Sequence, residues 1–161
     1  MDSIDRAILA ELQRDGRITN QDLADRVGLS PSPCLRRVRQ LEADGAIIGY
    51  RAEVSGKALG LPITVFVELT LEHHTTESTE VVEEHINAIE HVTECYLMAG
   101  DGDYLLKIAV GSLEEYEVLV RSKIRSIPAV SSIHTSFAYA TIKERSPLPV
   151  QAGKSWRRTG S

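Results

Sequence analysis

The chain has 161 residues, of which 42% are hydrophobic and 25% are charged, and its formal net charge is −5. This size fits two small domains, and the acidic balance argues against a nucleic-acid binder that relies on overall positive charge. Cys34 and Cys95 form no metal-binding spacing, no apolar run reaches membrane-spanning length, and the first residues lack a signal-peptide pattern. We therefore expect a cytoplasmic protein.

Three short amphipathic helices are predicted within residues 1–46. The first is indicated by apolar residues at helical spacing, namely Ile4, Ala7, Ile8 and Leu12. Thr19 can cap the second helix, and Gly28 ends it. Ser30 can cap the third, with Pro31 at its first position, where the missing N–H costs nothing. Two capped helices around a short glycine-bounded corner are typical of a helix-turn-helix.

The third helix is predicted to have one apolar and one basic face. Leu35, Val38, Leu41 and Glu42 recur on the first face, while Ser32, Arg36 and Arg39 stack on the opposite one, flanked by Arg37 and Gln40. Arginines on an outer face suit guanine acceptors and phosphate oxygens. The alternative, a solvated basic helix in an ordinary bundle, does not explain the capped helix pair and its corner. The predicted DNA-binding residues are Thr19, Asn20, Ser30, Ser32, Pro33, Arg36, Arg37, Arg39 and Gln40.

Acidic residues are concentrated in the second part of the chain. Residues 61–145 carry fourteen acidic and six basic side chains, whereas residues 1–50 carry eight and seven. Specific DNA binding would therefore depend on how the helix arginines are presented, twice or more through oligomerisation.

Residues 47–61 are predicted to form a linker strand and a turn, and a second domain follows over residues 62–145. A strand of period two begins after Pro62, then a helix over residues 79–89 and strands over 93–99 and 104–110. Residues 100–103 join these strands in a hairpin whose glycines are free to take positive φ. Ser112 can cap a second helix with Leu113, Tyr116, Val120 and Ile124 on one face, and a long strand follows over residues 130–142.

This βαββαβ order predicts an α+β chain whose C-terminal domain has the ferredoxin-like arrangement, with both helices on one face of a four-stranded antiparallel sheet. The other face would expose Phe66, Tyr96, Met98, Phe137 and Tyr139, which favours sheet-to-sheet dimerisation. Residues 146–161 lack periodicity and are predicted to be a disordered tail. Its Lys154, Arg157 and Arg158 would give weak nonspecific DNA affinity or be inert.

Three segments resemble the Lrp/AsnC, or feast/famine, family of transcription regulators. They are IDRAILAELQRDGRITNQDLADRVGLSPSPCLRRVRQLEADGAIIGY, ECYLMAGDGDYLLKIAV and TSFAYATIKE. The resemblance spans nearly the whole chain, and GDGDY is similar to the GDxDY loop of that family. It implies a winged-helix or helix-turn-helix domain, a homodimer built on the C-terminal domains, octamers or related rings, and amino-acid effectors bound between dimers. Association with the nucleoid is expected of such a protein.

The GDGDY loop has two possible roles. Its backbone N–H groups can bind the carboxylate of a free amino acid, and Asp101 or Asp103 can accept from the ammonium. Alternatively, the loop is a plain hairpin that uses Asp and Gly for turn geometry. The family resemblance favours a pocket formed by Gly100, Asp101, Gly102, Asp103 and Tyr104, with Leu97, Leu113, Ser136, Phe137 and Ala138 as effector-response positions.

Other functional classes find less support in the sequence. The adjacent His73 and His74 point to opposite faces and lack further ligand spacing, so we expect a solvated loop and no metal. No nucleophile–base pair or cofactor loop indicates an enzyme, and we expect no cofactor other than an amino-acid effector. An oligomeric amino-acid sensor without direct DNA binding is the remaining alternative. The arginine face of the third helix argues against it.

Overall fold

The computed structural model describes residues 1–144 and 146–150. It divides into two compact units, one formed by Met1–Glu53 with the described residues between 143 and 150, the other by Val54–Ile142. Each unit has its own hydrophobic core. No helix in the described part of the chain is both long enough and apolar enough to cross a membrane.

The first unit contains helices α1 (Ser3–Arg14), α2 (Asn20–Val27) and α3 (Pro31–Ala43). All three helices contribute to a core of Ile8, Leu23, Ala24, Cys34 and Leu41. Thr19 caps α2 by accepting from the Asp22 N–H, and Gly28 ends this helix in the left-handed conformation, with φ 72°. The predicted corner between two helices is therefore present, and it fixes where α3 begins.

The core face of α3 differs from the predicted one. Leu35 is 38% exposed, whereas Cys34 is completely buried. Cys34, Val38 and Leu41 follow the i, i+4, i+7 spacing of a single face, which places Leu35 to one side of it. Ser30 occupies the cap position, but its hydroxyl makes no capping bond. The proline at position 33 removes one of the N–H groups that could have donated to it.

The strand predicted within the linker of residues 47–61 does not form among the described residues. Among the described residues this segment pairs with no strand, and Ile48, Tyr50 and Val54 are exposed. Its first residues turn back on α3, where the Leu41 carbonyl accepts from the Ala46 and Ile47 N–H groups. An extended segment needs a partner strand, and this unit supplies only helices.

The second unit has the predicted βαββαβ order. Its elements are β1 (Ile63–Leu71), α4 (Thr76–Asn87), β2 (Val92–Leu97), β3 (Tyr104–Val110), α5 (Leu113–Leu119) with a π-helical turn at Val120–Ile124, and β4 (Val130–Phe137). The strands form one antiparallel sheet in the order β2-β3-β1-β4. Alternate residues of β1 and β3 enter the core with side chains from α4 and α5, so both helices cover the same face.

Several predicted boundaries in this unit shift for local reasons. Helix α4 begins three residues early because Thr75 caps it by accepting from the Ser78 N–H. Strand β4 ends at Phe137 because its partner β1 begins at Ile63; only the Ala138 N–H, which donates to the Thr64 carbonyl, continues the pairing. Leu113 is 58% exposed at the first position of α5, and Leu119 is buried instead.

The helix-free face of the sheet is less apolar than predicted. Phe137 lies opposite Val65, so it shares the helix-covered face, where its ring packs edge-on against Tyr116 with centroids 5.2 Å apart. Tyr139 lies beyond the end of β4 and is fully exposed. Phe66 and Tyr96 remain on the helix-free face. An ion pair of 2.9 Å between Lys107 Nζ and Glu94 Oε1 also lies there.

The C-terminal residues that follow are partly ordered against α1. The Leu148 N–H donates to Gln13 Oε1 at 2.7 Å, and Gln13 Nε2 donates to the Leu148 carbonyl at 3.2 Å. The first residues of the predicted tail thus make a specific contact with α1, and most of the residues after Pro149, where disorder is predicted, lie outside the described residues. Lys154, Arg157 and Arg158 lie outside the described residues.

Candidate functional sites

The helix corner that positions α3 uses two of the predicted DNA-binding residues. Thr19 caps α2, and its hydroxyl also donates to the Asp22 carboxylate at 2.7 Å. Asn20 Nδ2 donates to the Pro31 carbonyl at 2.9 Å, which joins the start of α2 to the start of α3. The buried Asn20 Oδ1 finds no partner among the described residues. Thr19 and Asn20 therefore stabilise the corner between α2 and α3. Ser32, by contrast, takes no part in this corner network and is exposed at the second position of α3.

Arg36 and Arg39 are the two arginines of α3 whose side chains are available to a ligand. Both are exposed, and neither makes an ion pair or side-chain hydrogen bond within the part of the chain that the structure describes. They lie three positions apart, on one side of a 13-residue helix. Helix α3 is about 20 Å long, and an α-helix with its side chains is narrow enough to enter the major groove of B-DNA.

Arg37 instead ties α3 to α1. Its Nη1 lies 2.7 Å from both Asp2 Oδ2 and Asp5 Oδ1. These hydrogen bonds, from Asp5 first and then Asp2, raise the pKa of Arg37. The pKa of Asp2 falls to about 2, mainly because its carboxylate accepts from the Asp5 N–H and then because it bonds to Arg37. No sequence pattern indicates this contact, because Arg37 and its partners lie more than thirty residues apart.

The GDGDY loop is fastened to β1 through Asp103. The Asp103 N–H donates to the Leu69 carbonyl at 2.9 Å, and Asp103 Oδ2 accepts from the Leu71 N–H at 2.7 Å. Its second oxygen, Oδ1, lies 3.5 Å from His74 Nδ1. Asp103 therefore fixes the loop at the end of β1, and much of its accepting capacity is already used.

The tip of the same loop presents backbone donors. Within the described residues, the N–H groups of Gly100, Asp101 and Gly102 have no hydrogen-bond partner; Gly100 and Asp101 are exposed, whereas Gly102 is buried beside Glu68. Successive free N–H groups in a turn form a concave site for an anion such as a carboxylate. The glycines of the loop, although free to take a positive φ, do not do so. A Cβ on Gly102 would lie 2.5 Å from Cδ and 2.9 Å from Oε1 of Glu68, so a larger residue there would require that side chain to move.

Tyr104 belongs to the core and not to the loop surface. It is 2% exposed, and its hydroxyl donates to Glu83 Oε1 at 3.2 Å. Burial, followed by the charge of Glu83, raises the pKa of Tyr104 to about 12. The hydroxyl therefore stays protonated as a donor across the physiological range.

One copy of the chain does not bring the predicted effector residues together. Leu97 pairs with Tyr104 at the loop end of the sheet, and Tyr104 in turn pairs with Leu69 on β1. Phe137 pairs with Val65, which lies four residues before Leu69 on β1. Leu97 and Phe137 also lie on opposite edge strands, roughly 14 Å apart across the sheet and about 13 Å apart along it. Leu113 follows β3 at the Phe137 end. Ser136 lies opposite Phe66, on the helix-free face near that end.

Family models match both units of the chain. Residues 1–48 match a winged helix-turn-helix DNA-binding model, and residues 64–148 match the Lrp/AsnC ligand-binding domain. The chain is 42% identical to the leucine-responsive regulatory protein of Haemophilus influenzae over 144 residues, covering 89% of this chain and 87% of that protein. It is 40% identical to the protein of the same name from Escherichia coli K12, covering 94% and 92%.

Solved structures agree with these matches. An AsnC family transcriptional regulator from Agrobacterium tumefaciens superimposes with a TM-score of 0.88 at 35% identity, covering 93% of this chain and 97% of that one. A transcriptional regulator from Neisseria meningitidis, solved as a complex with L-methionine, also has a TM-score of 0.88, at 32% identity and with the same coverage. These relatives are transcription regulators and not enzymes.

Proposed function

We propose that the chain, which belongs to the Lrp/AsnC family of DNA-binding transcription regulators, binds operator DNA through α3. Members of this family have an amino-acid-binding domain. A small amino acid would change the assembly of the protein and thereby its DNA binding. The protein would act in the cytoplasm, on the DNA of the nucleoid. The observation that carries this proposal is the pair of exposed arginines, unpartnered within the described residues, on the helix that follows the capped corner.

The DNA-reading surface is the outer side of α3, with Ser32, Arg36 and Arg39. A guanidinium that is free in the absence of DNA can form two hydrogen bonds to guanine without first breaking an ion pair. Arg37 is not free in this sense, because Asp2 and Asp5 hold it. We therefore assign base or phosphate contacts to Arg36 and Arg39, and the orientation of α3 to Arg37.

The effector site is the tip of the GDGDY loop completed by a second copy of the chain. The free N–H groups at residues 100–102 suit the carboxylate of an amino acid. The remaining predicted residues, Leu113, Ser136, Phe137 and Ala138, lie toward the other end of the sheet, too far away to line the same small pocket. Association of subunits can bring the loop of one copy beside the far end of another, which supports a pocket between dimers.

Homodimerisation and further assembly into an octamer or related ring follow from the same reasoning. The helix-free sheet face carries Phe66 and Tyr96 and is uncovered within the described chain. A dimer presents two α3 helices, which compensates for the nearly neutral charge of residues 1–50. An amino acid that binds between dimers changes DNA occupancy only by its different affinity for two assembly states.

Gel-shift titration against the upstream region of the gene itself tests the proposal, with each of the twenty amino acids added in turn. We expect submicromolar, sequence-dependent binding that at least one amino acid alters, and sedimentation velocity should show a changed oligomer distribution with that amino acid. L-methionine is one ligand to try, given the Neisseria complex. Amino-acid binding without any DNA binding would identify the chain as a sensor alone.

A further inference from the structure

The carboxylate that recognises the ammonium group of the effector is, we propose, that of Glu68 on β1, and neither of the two aspartates in the GDGDY motif. This assignment rests on the proposed function, because it specifies how the same pocket distinguishes an amino acid from other small acids. Glu68 lies more than thirty residues before the motif in the sequence, and only the folded sheet brings it to the loop.

Glu68 lies directly against the tip of the loop. Its Cγ, Cδ and Oε1 occupy the space that a Cβ on Gly102 would need. In the sheet it stands opposite Leu105 on β3 and His134 on β4, so its side chain projects from the helix-free face. Within the described residues, its carboxylate makes no hydrogen bond or ion pair, although it is only partly exposed. A partly buried carboxylate without a partner is suited to a cationic group.

The other acidic groups at the loop are poorer candidates. Asp103 uses Oδ2 to accept from the Leu71 N–H, and its Oδ1 faces His74. Asp101 is exposed at the loop tip, where solvent weakens an ion pair. The nearby cation on the same sheet face, Lys107, is already bound to Glu94, so it does not neutralise Glu68.

The arrangement complements both charges of a free α-amino acid. The unpaired N–H groups at residues 100–102 attract a carboxylate, and the Glu68 carboxylate lies beside them to accept from an ammonium. The glycine at position 102 leaves room for the Glu68 side chain beside the loop that binds the other end of the ligand.

The test compares an amino acid with its α-hydroxy analogue, which keeps the carboxylate and the side chain but lacks the ammonium. The full-length protein is first screened by calorimetry with the twenty amino acids, and the tightest ligand is then measured beside its hydroxy acid. We expect the wild type to prefer the amino acid by about 10- to 150-fold, the range that a hydrogen bond between charged groups provides. In Glu68→Gln, which keeps the shape of the side chain, this preference should fall to nearly one.

Two matched variants make the result specific. Asp101→Asn removes the exposed loop carboxylate, and Glu84→Gln removes an exposed carboxylate from α4, away from the loop; both should keep the preference of the wild type. Sedimentation velocity without ligand should show the same oligomers for Glu68→Gln and wild type. The assignment is overturned if Glu68→Gln keeps the preference, if Asp101→Asn loses it, or if Glu68→Gln changes the ligand-free assembly. If no amino acid binds the wild type, the proposed effector function itself fails.

Discussion

Replacing Arg36 and Arg39 with alanine, singly and together, probes the surface through which we expect the protein to read DNA. Both side chains are exposed and unpartnered in the described structure, so their removal breaks no hydrogen bond or ion pair there. If a guanidinium reaches a base edge, its removal should cost about 1–3 kcal/mol at each half-site, or roughly 5- to 150-fold in affinity for the operator. A dimer carries each substitution twice.

The salt dependence of binding separates base contacts from phosphate contacts. If an arginine binds a phosphate, its replacement should weaken binding to operator and random DNA alike. It should also flatten the plot of log K against log salt by about 0.9 for each phosphate that is no longer neutralised. If an arginine binds a base, its replacement should reduce mainly the ratio between operator and random DNA. Fluorescence anisotropy with both duplexes, at several salt concentrations, gives both quantities.

Arg37→Ala is the matched control on the same helix. It removes one positive charge, as the other variants do, but it also breaks the contacts to Asp2 and Asp5. We expect it to lower the midpoint of thermal unfolding, which Arg36→Ala and Arg39→Ala should leave within error. If the double variant Arg36→Ala/Arg39→Ala binds the operator as the wild type does, α3 is not the helix that reads the DNA.

Three further predictions concern other contacts. Gly102→Ala should weaken the amino-acid response in the gel shift and leave ligand-free DNA binding intact, because its Cβ forces the Glu68 side chain to move; an unchanged response would contradict this. Gln13→Ala should accelerate hydrogen exchange at the Leu148 amide, whereas Gln21→Ala, on α2, should not; equal rates would show that the Gln13 contact is absent in solution. Asp2→Asn should destabilise the first unit at pH 7 in urea. Because the folded pKa of Asp2 is about 2 and its ordinary value is 3.8, this difference should persist above pH 4 and vanish as the pH falls to about 2; a difference that grows on acidification would refute it.

The elements of both units could be predicted because each is specified locally. The alternation in β1 assigns Val65, Val67 and Leu69 to one face whatever strand pairs beside it, and all three are buried. Thr19 and Gly28 fix the ends of α2 by bonds and dihedral angles within a few residues. Such signals need no knowledge of distant parts of the chain.

The errors arise where distant residues decide the outcome. In β4 both alternating sets contain polar residues, so the pattern could not show which set faces the helices, and pairing with β1 places Phe137 beside Val65. Cys34 and Leu35 are adjacent and both apolar, and only the packing of α3 on α1 and α2 selects Cys34 for the core. The positions of Arg37 and Glu68 could not be predicted because their neighbours in the fold lie far away in sequence.

Both proposed sites are incomplete in a single copy, and the proposed regulation depends on this incompleteness. Residues 1–50 have nearly balanced charges, and Arg36 and Arg39 are the exposed arginines of α3, so one copy offers little affinity for DNA. The loop donors at residues 100–102 lie at one end of a sheet whose other end carries Leu113 and Phe137, so one copy offers half of the proposed pocket. In the function we propose, assembly completes both sites together. A ligand that favours one arrangement of copies would then alter how many α3 helices contact the DNA, and by reciprocity DNA would alter the affinity for the amino acid.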